Sequence, residues 1–298
     1  MSEVDLDPQP VSLADGRLAG LAWGRPDAPT WLALHGWLDN AASYTRLAPR
    51  LVAALDIRLV AIDFAGHGES APLPGRHDYA LWDYCHDLLD ALDALGLERA
   101  PVLAHSLGAG VACLVAGALA ERVERLVLID GLGSVTSSVE ETPRQLGKAL
   151  RSHRRRISSP PRYADLDSAV AARVAGGATP VDAETVRDIV ARNLVPCQPE
   201  GVALRTDPRL KRPSPVRLTP DQVEAVLGAI TCAVLLIEGE SGILGERDPA
   251  VRARRAVTQL TRRVLPGGHH LHASPAHVAA VATTIVEFEN ASREATVG

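Results

Sequence analysis

Long apolar runs are missing from this sequence: no stretch of its 298 residues stays apolar for the length a bilayer-spanning helix needs. The opening residues, MSEVDLDPQP, lack the positive start and apolar core of a secretory signal, so the expectation is a protein of the cytoplasm. Cysteine is scarce. Cys85, Cys113, Cys197 and Cys232 are scattered without a C-x-x-C pair, which argues against a zinc motif and a disulfide framework and leaves free thiols. Of the 31 basic residues only Lys148 and Lys211 are lysine, a bias read as one of coding rather than of function. Acidic and basic residues are interspersed, with a formal net charge of -5, so the basic stripe that nucleic acid requires is lacking. A small molecule remains as the expected partner.

What is present is a core-forming chain, 46% hydrophobic, in which short apolar runs alternate with segments of helical period. The runs Trp31 to Leu34, Leu59 to Ile62, Pro101 to Ala104, Leu126 to Ile129, Ala233 to Ile237 and Arg263 to Leu265 read as strands, and the alternation predicts βαβ units around a mostly parallel sheet. Leu81, Cys85, Leu88, Leu89, Leu92 and Leu95 recur at helical spacing before Gly96, a stop signal. From Gly133 to Leu227 the rhythm breaks into Pro, Arg and short helical patterns, which predicts a helical insertion. The expected organisation is therefore residues 1–132 as the first part of an α/β core, 133–227 as a helical cap and 228–298 as the second part. Arg151, Arg154, Arg155 and Arg156 within the insertion read as a solvated face.

The chemistry starts at Ala104-His105-Ser106-Leu107-Gly108, which follows an apolar run and leads into a segment that can continue as a helix. A serine on a sharp strand-to-helix turn needs small neighbours two before and two after it, and Ala104 and Gly108 fill those places. Such a turn puts Ser106 at a helix N-terminus, where the Leu107 N–H can face an oxyanion. The plainer reading is that Ser106 only caps the helix. His35-Gly36-Trp37, after the run ending at Leu34, offers the Trp37 N–H as a second oxyanion donor. Asp63 and His67, in Asp63-Phe64-Ala65-Gly66-His67-Gly68, read as turn-stabilising residues.

Gly267-Gly268-His269-His270-Leu271-His272 supplies a base on a flexible loop, and His269 is assigned that role. His270 and His272 have no carboxylate or cysteine at a recognised ligand spacing, so no metal is expected and packing or hydrogen bonding accounts for them. The acid that orients the base should lie between Ser106 and His269. Asp130, at the carboxyl end of the run ending at Ile129, ranks first because active sites of open α/β sheets lie at that edge. Glu240 ranks second and Asp248 third, since Asp248-Pro249 resembles a helix start with Asp248 as its N-cap.

With HGWLDN at His35 to Asn40, DFAGHGES at Asp63 to Ser70, AHSLGAG at Ala104 to Gly110, LVLIDGLG at Leu126 to Gly133 and GGHHLH at Gly267 to His272, the chain resembles the α/β-hydrolase superfamily. Within it, HGWLDN, Asp130 and the segment Arg205 to Leu210 resemble the serine hydrolase-like proteins. The resemblance implies an α/β-hydrolase fold: a mostly parallel central sheet flanked by helices, an inserted helical cap, and no cofactor. It also implies Ser106 as nucleophile and His269 as base, while Ser241-Gly242 departs from the acid's common position. The expected activity is cleavage of a small or medium hydrophobic carboxylic ester or thioester through an acyl-enzyme. The alternatives are a hydrolase of carbon–carbon bonds with the same triad, or a catalytically silent binding protein descended from such an enzyme.

Overall fold

The computed structural model describes residues 6–75, 78–156 and 159–297. The chain runs β1 (Gln9–Leu13), β2 (Leu18–Trp23), β3 (Thr30–Leu34), α1 (Ala48–Leu55), β4 (Arg58–Ile62), α2 (Asp83–Ala94), β5 (Ala100–His105), α3 (Leu107–Ala118) and β6 (Val123–Ile129). After these come α4 (Thr142–His153), β7 (Arg162–Tyr163), α5 (Leu166–Gly176), α6 (Ala183–Arg192), β8 (Leu194–Pro196), β9 (Val202–Leu204) and α7 (Pro220–Gly228). The chain closes with β10 (Val234–Ser241), α8 (Asp248–Ala256), β11 (Leu260–Gly268) and α9 (Val278–Val297).

Eight strands form one sheet in the order β1-β2-β4-β3-β5-β6-β10-β11. The six runs expected from the sequence are β3, β4, β5, β6, β10 and β11, and each pairs in parallel with its neighbours among them. Side chains alternate across this sheet as period 2 requires. Val102 and Ala104 of β5 pack with Leu88, Val111 and Leu227 on one face, whereas Leu103 packs with Leu51, Val281 and Ile285 on the other. Both faces are covered by helices, so the central strands are apolar on both sides. After β3 the chain moves to β4 on one side and then to β5 on the other, which opens a crevice beyond the carboxyl ends of the strands.

The structure adds elements the sequence pattern did not announce. β1 and β2 form an antiparallel hairpin on the β4 edge. The segment between β6 and β10 is not purely helical: β7, β9 and β8 make a three-stranded antiparallel sheet whose strands are two or three residues long and only half-buried, too short to produce an apolar run. The helix expected from Leu81 starts at Asp83, and Gly96 follows it at φ +67°, as a C-terminal stop requires. The segment after His272 leads into α9, which starts at Val278. Arg247, not Asp248, is the N-cap of α8, which makes Asp248 its first residue.

The segment between β6 and β10 docks on the core through buried polar contacts. Arg192 of α6 forms an ion pair of 2.8 Å with Asp63, which also accepts the N–H groups of Ala41 and Glu69. Asn40 donates to the Ile189 carbonyl, Arg173 of α5 donates to Asp39, and the Trp37 indole donates to the Leu210 carbonyl. Asp63 is thus turn-stabilising, as expected. His67 is buried, and its Nδ1 lies 3.2 Å from the Ala65 carbonyl in the same turn.

Candidate active site

Ser106 sits between β5 and α3 with φ +51° and ψ -111°, a conformation that costs an L-residue energy and persists only when its surroundings enforce it. Two glycines permit it. A Cβ on Gly108 would meet the Leu34 carbonyl at 2.4 Å, and one on Gly131 would meet the Ser106 backbone at 2.9 Å. Although Ser106 occupies the N-cap position, its hydroxyl makes no capping hydrogen bond. The hydroxyl lies 3.0 Å from His269 Nε2 instead.

The imidazole of His269 is shared with Asp130, whose Oδ2 lies 2.6 Å from Nδ1. A carboxylate can only accept, so Nδ1 carries the proton and Nε2 is left to accept from the Ser106 hydroxyl. Asp130 is fully buried at φ +41°, and its Oδ2 also accepts the Ile243 N–H at 2.9 Å. Residues 239–243, the turn where the resemblance places the acid, wrap around Asp130 instead. Gly242 leaves the space that the Asp130 carboxylate fills. Glu240 is exposed and is not hydrogen-bonded to His269; Asp248 is exposed as well, although it borders the same cavity. The structure therefore brings Ser106, His269 and Asp130 together and leaves Glu240 and Asp248 apart from the imidazole.

Leu107 is the first residue of α3, where a backbone N–H has no partner inside its own helix. Trp37 and Leu107 line one cavity of about 1100 Å3 with Ser106 and His269. The Gly108 N–H donates to the His35 carbonyl at 3.1 Å, which ties the loop carrying Trp37 to the turn carrying Ser106. His35 is held in turn: its Nδ1 donates to the Gly36 carbonyl and its Nε2 accepts the Phe64 N–H. Burial lowers the pKa of His35 and keeps it neutral.

His105, Asp39 and Arg173 also belong to the surroundings of the site and were given no role from the sequence, whereas His270 was expected to pack or hydrogen-bond. His105, fully buried before the serine, has Nε2 2.9 Å from the His269 carbonyl and so ties down the loop that carries His269. Burial, reinforced by His272 and His269, pushes His105 well below the usual histidine range. Asp39 accepts from His270 Nε2 at 3.1 Å and from Arg173 at 2.8 Å. Burial works against ionisation of Asp39, but His270 and Arg173 overcome it and hold its carboxyl well below the usual value. No position in the chain marks these partners in advance, because each pair is separated by more than a hundred residues. Among the described residues, no group of three His, Cys, Asp or Glu is arranged to hold a metal ion. Arg151, Arg154, Arg155 and Arg156 are exposed and do not line the cavity.

The chain is similar to known proteins over nearly its whole length. The family described as alpha/beta hydrolase fold matches residues 29–164. A serine hydrolase-like protein of Dictyostelium discoideum is 30% identical over 283 residues, covering 91% of this chain and 78% of that one. A solved structure of a hypothetical protein from Pseudomonas aeruginosa is 41% identical with a TM-score of 0.85, over 95% of this chain and 99% of that chain. A thioesterase domain from the curacin biosynthetic pathway shares the fold at a TM-score of 0.79 and 24% identity, over 94% of this chain and 99% of that chain.

Proposed function

Since the chain belongs to the α/β-hydrolase family, we propose that it is a serine hydrolase with Ser106 as nucleophile, His269 as base and Asp130 as the acid that orients the base. The observation that carries the reading is the single imidazole lying between a strained serine hydroxyl at 3.0 Å and a buried carboxylate at 2.6 Å. His269 Nε2 takes the Ser106 proton as Oγ attacks a carbonyl carbon, and Asp130 stabilises the imidazolium that forms. The N–H groups of Trp37 and Leu107 receive the developing oxyanion. The leaving group takes the proton from His269, and water, activated by the same imidazole, hydrolyses the acyl-enzyme.

The bond we propose is a carboxylic ester or thioester with a small or medium hydrophobic acyl group. Leu81, Leu107, Leu132, Val223 and Leu244 give the cavity an apolar floor on which such a group can lie. Residues 133–227 act as the cap of this cavity in the same proposal, supported by Arg192, Arg173 and Leu210, which dock that segment on the core. A cytoplasmic setting is supported by the four cysteines, all free. The test is hydrolysis of p-nitrophenyl esters of graded acyl length by the native protein and Ser106→Ala. Native turnover that falls about a thousandfold or more in the variant supports the reading; equal rates in the two proteins refute it.

A further inference from the structure

The cavity above Ser106 carries a sign of charge that the whole chain does not. The protein has a formal net charge of -5, yet among the described residues seven lysine and arginine side chains line this cavity against three carboxylates. Both lysines of the sequence, Lys148 and Lys211, are among them. Of the three carboxylates, Asp39 is engaged by Arg173 and Glu224 by Arg252. Only Asp248 remains to balance Lys148, Lys211, Arg212, Arg217 and Arg247, and among the described residues none of these five cations forms a salt bridge.

The five converge from separate parts of the chain. Lys148 comes from α4, Lys211 and Arg212 from the turn after Pro208, Arg217 from the stretch before α7, and Arg247 from the cap of α8. Four of them, Lys148, Lys211, Arg217 and Arg247, are exposed, whereas the leucines and Val223 that line the same cavity are buried or half-buried. Arg212 also lies 3.1 Å from His153 Nδ1 and Arg247 donates to the Leu244 carbonyl, but neither contact neutralises a cation. Like charges that no carboxylate neutralises repel one another, and beside low-dielectric walls they concentrate anions. Phosphate or carboxylate oxygens would gain charge-assisted hydrogen bonds from several of them at once.

We propose that the substrate of this site is an acyl ester or thioester that also bears an anionic group, phosphate or carboxylate, held by Lys148, Lys211, Arg212, Arg217 and Arg247 while the acyl chain lies on the apolar floor. The anion sits on the leaving group or at the far end of the acyl chain; the recognising chemistry is the same. This inference rests on the hydrolase reading, but it is tested by binding, without turnover.

Calorimetry on Ser106→Ala measures the affinity for hexanoyl-coenzyme A, whose leaving group is phosphorylated, for monoethyl adipate, whose acyl end is a carboxylate, and for neutral ethyl hexanoate. At about 20 mM salt, at least one charged ligand binds about tenfold or more tighter than ethyl hexanoate, and which one does so names the source of the anion. That ratio falls toward unity at about 0.5 M salt, and also when Lys148→Gln, Arg217→Gln and Arg247→Gln are added, with thermal unfolding verifying that the variant folds. Affinities of all three ligands within about threefold overturn the proposal, as does a charged preference that ignores both salt and the substitutions. Failure of the hydrolase reading shows separately, as absent ester turnover by the native protein.

Discussion

Gly242 lies directly against the carboxylate of Asp130: a Cβ on that glycine would stand 2.1 Å from Oδ1. The turn after β10 therefore surrounds an acid that comes from the end of β6. Gly242→Ala is expected to push the carboxylate away from the Ile243 N–H and from His269. Overpacking of this kind costs about 1–3 kcal/mol, so chemical denaturation should show a loss in that range, and ester turnover should fall by about tenfold or more.

Asp130→Asn removes the negative charge that fixes the His269 tautomer, and the expected loss in kcat is about 10^3 to 10^4. Glu240→Gln and Asp248→Asn alter exposed side chains that make no hydrogen bond to the imidazole. Steady-state kinetics of the three variants on a neutral ester should leave kcat of the last two within about twofold of native. A collapse in Glu240→Gln with Asp130→Asn intact would reverse the assignment.

Five strands, β3, β4, β5, β6 and β10, were legible because each is a short and largely buried apolar run, β11 was read from Arg263 to Leu265 although it lies partly exposed at the sheet edge, and the strand-to-helix turn at Ser106 was legible from Ala104 and Gly108 around it. Asp130 could be ranked first from its place at a strand end. Its support by Ile243 could not be read, because a backbone N–H has no sequence signature. The hairpin of β1 and β2 escaped because β1 is largely exposed and β2 is interrupted by Gly20, where a Cβ would stand 2.3 Å from the Ala61 carbonyl. The cationic lining of the cavity escaped for another reason: its members are far apart in the chain and only the fold collects them.

Stability should fall in acid through buried neutral histidines. Burial pushes His67 and His272 down to about 3, and lowers His35 and His105 as well. Between about pH 6.5 and 3 the unfolded chain binds protons at these residues that the folded chain refuses, so stability decreases as pH falls through that window. Each such group contributes a slope of about 1.4 kcal/mol per pH unit. Urea unfolding at a series of pH values from 7.5 downward should reveal a steep loss below about 6; a flat profile to pH 4 would contradict the neutral, buried assignment.

Arg192→Ala strips Asp63 of its cation while leaving that carboxylate fully buried. Breaking a buried pair in this way costs about 3–5 kcal/mol, and the two backbone N–H groups that Asp63 retains place the expected loss near the lower end. Because the pair joins α6 to the loop after β4, limited proteolysis should cut residues 162–204 faster in the variant than in the native protein. Unaltered cleavage and unaltered stability would mean that the contact does not hold this segment down.

In the proposed mechanism His269 activates the Ser106 hydroxyl. Treatment with a fluorophosphonate, followed by peptide mapping by mass spectrometry, should place one adduct on Ser106 in the native protein, with labelling slowed by about a hundredfold or more in His269→Gln and Asp130→Asn. An unlabelled native protein, or an adduct on any other residue with Ser106 unmodified, would contradict it.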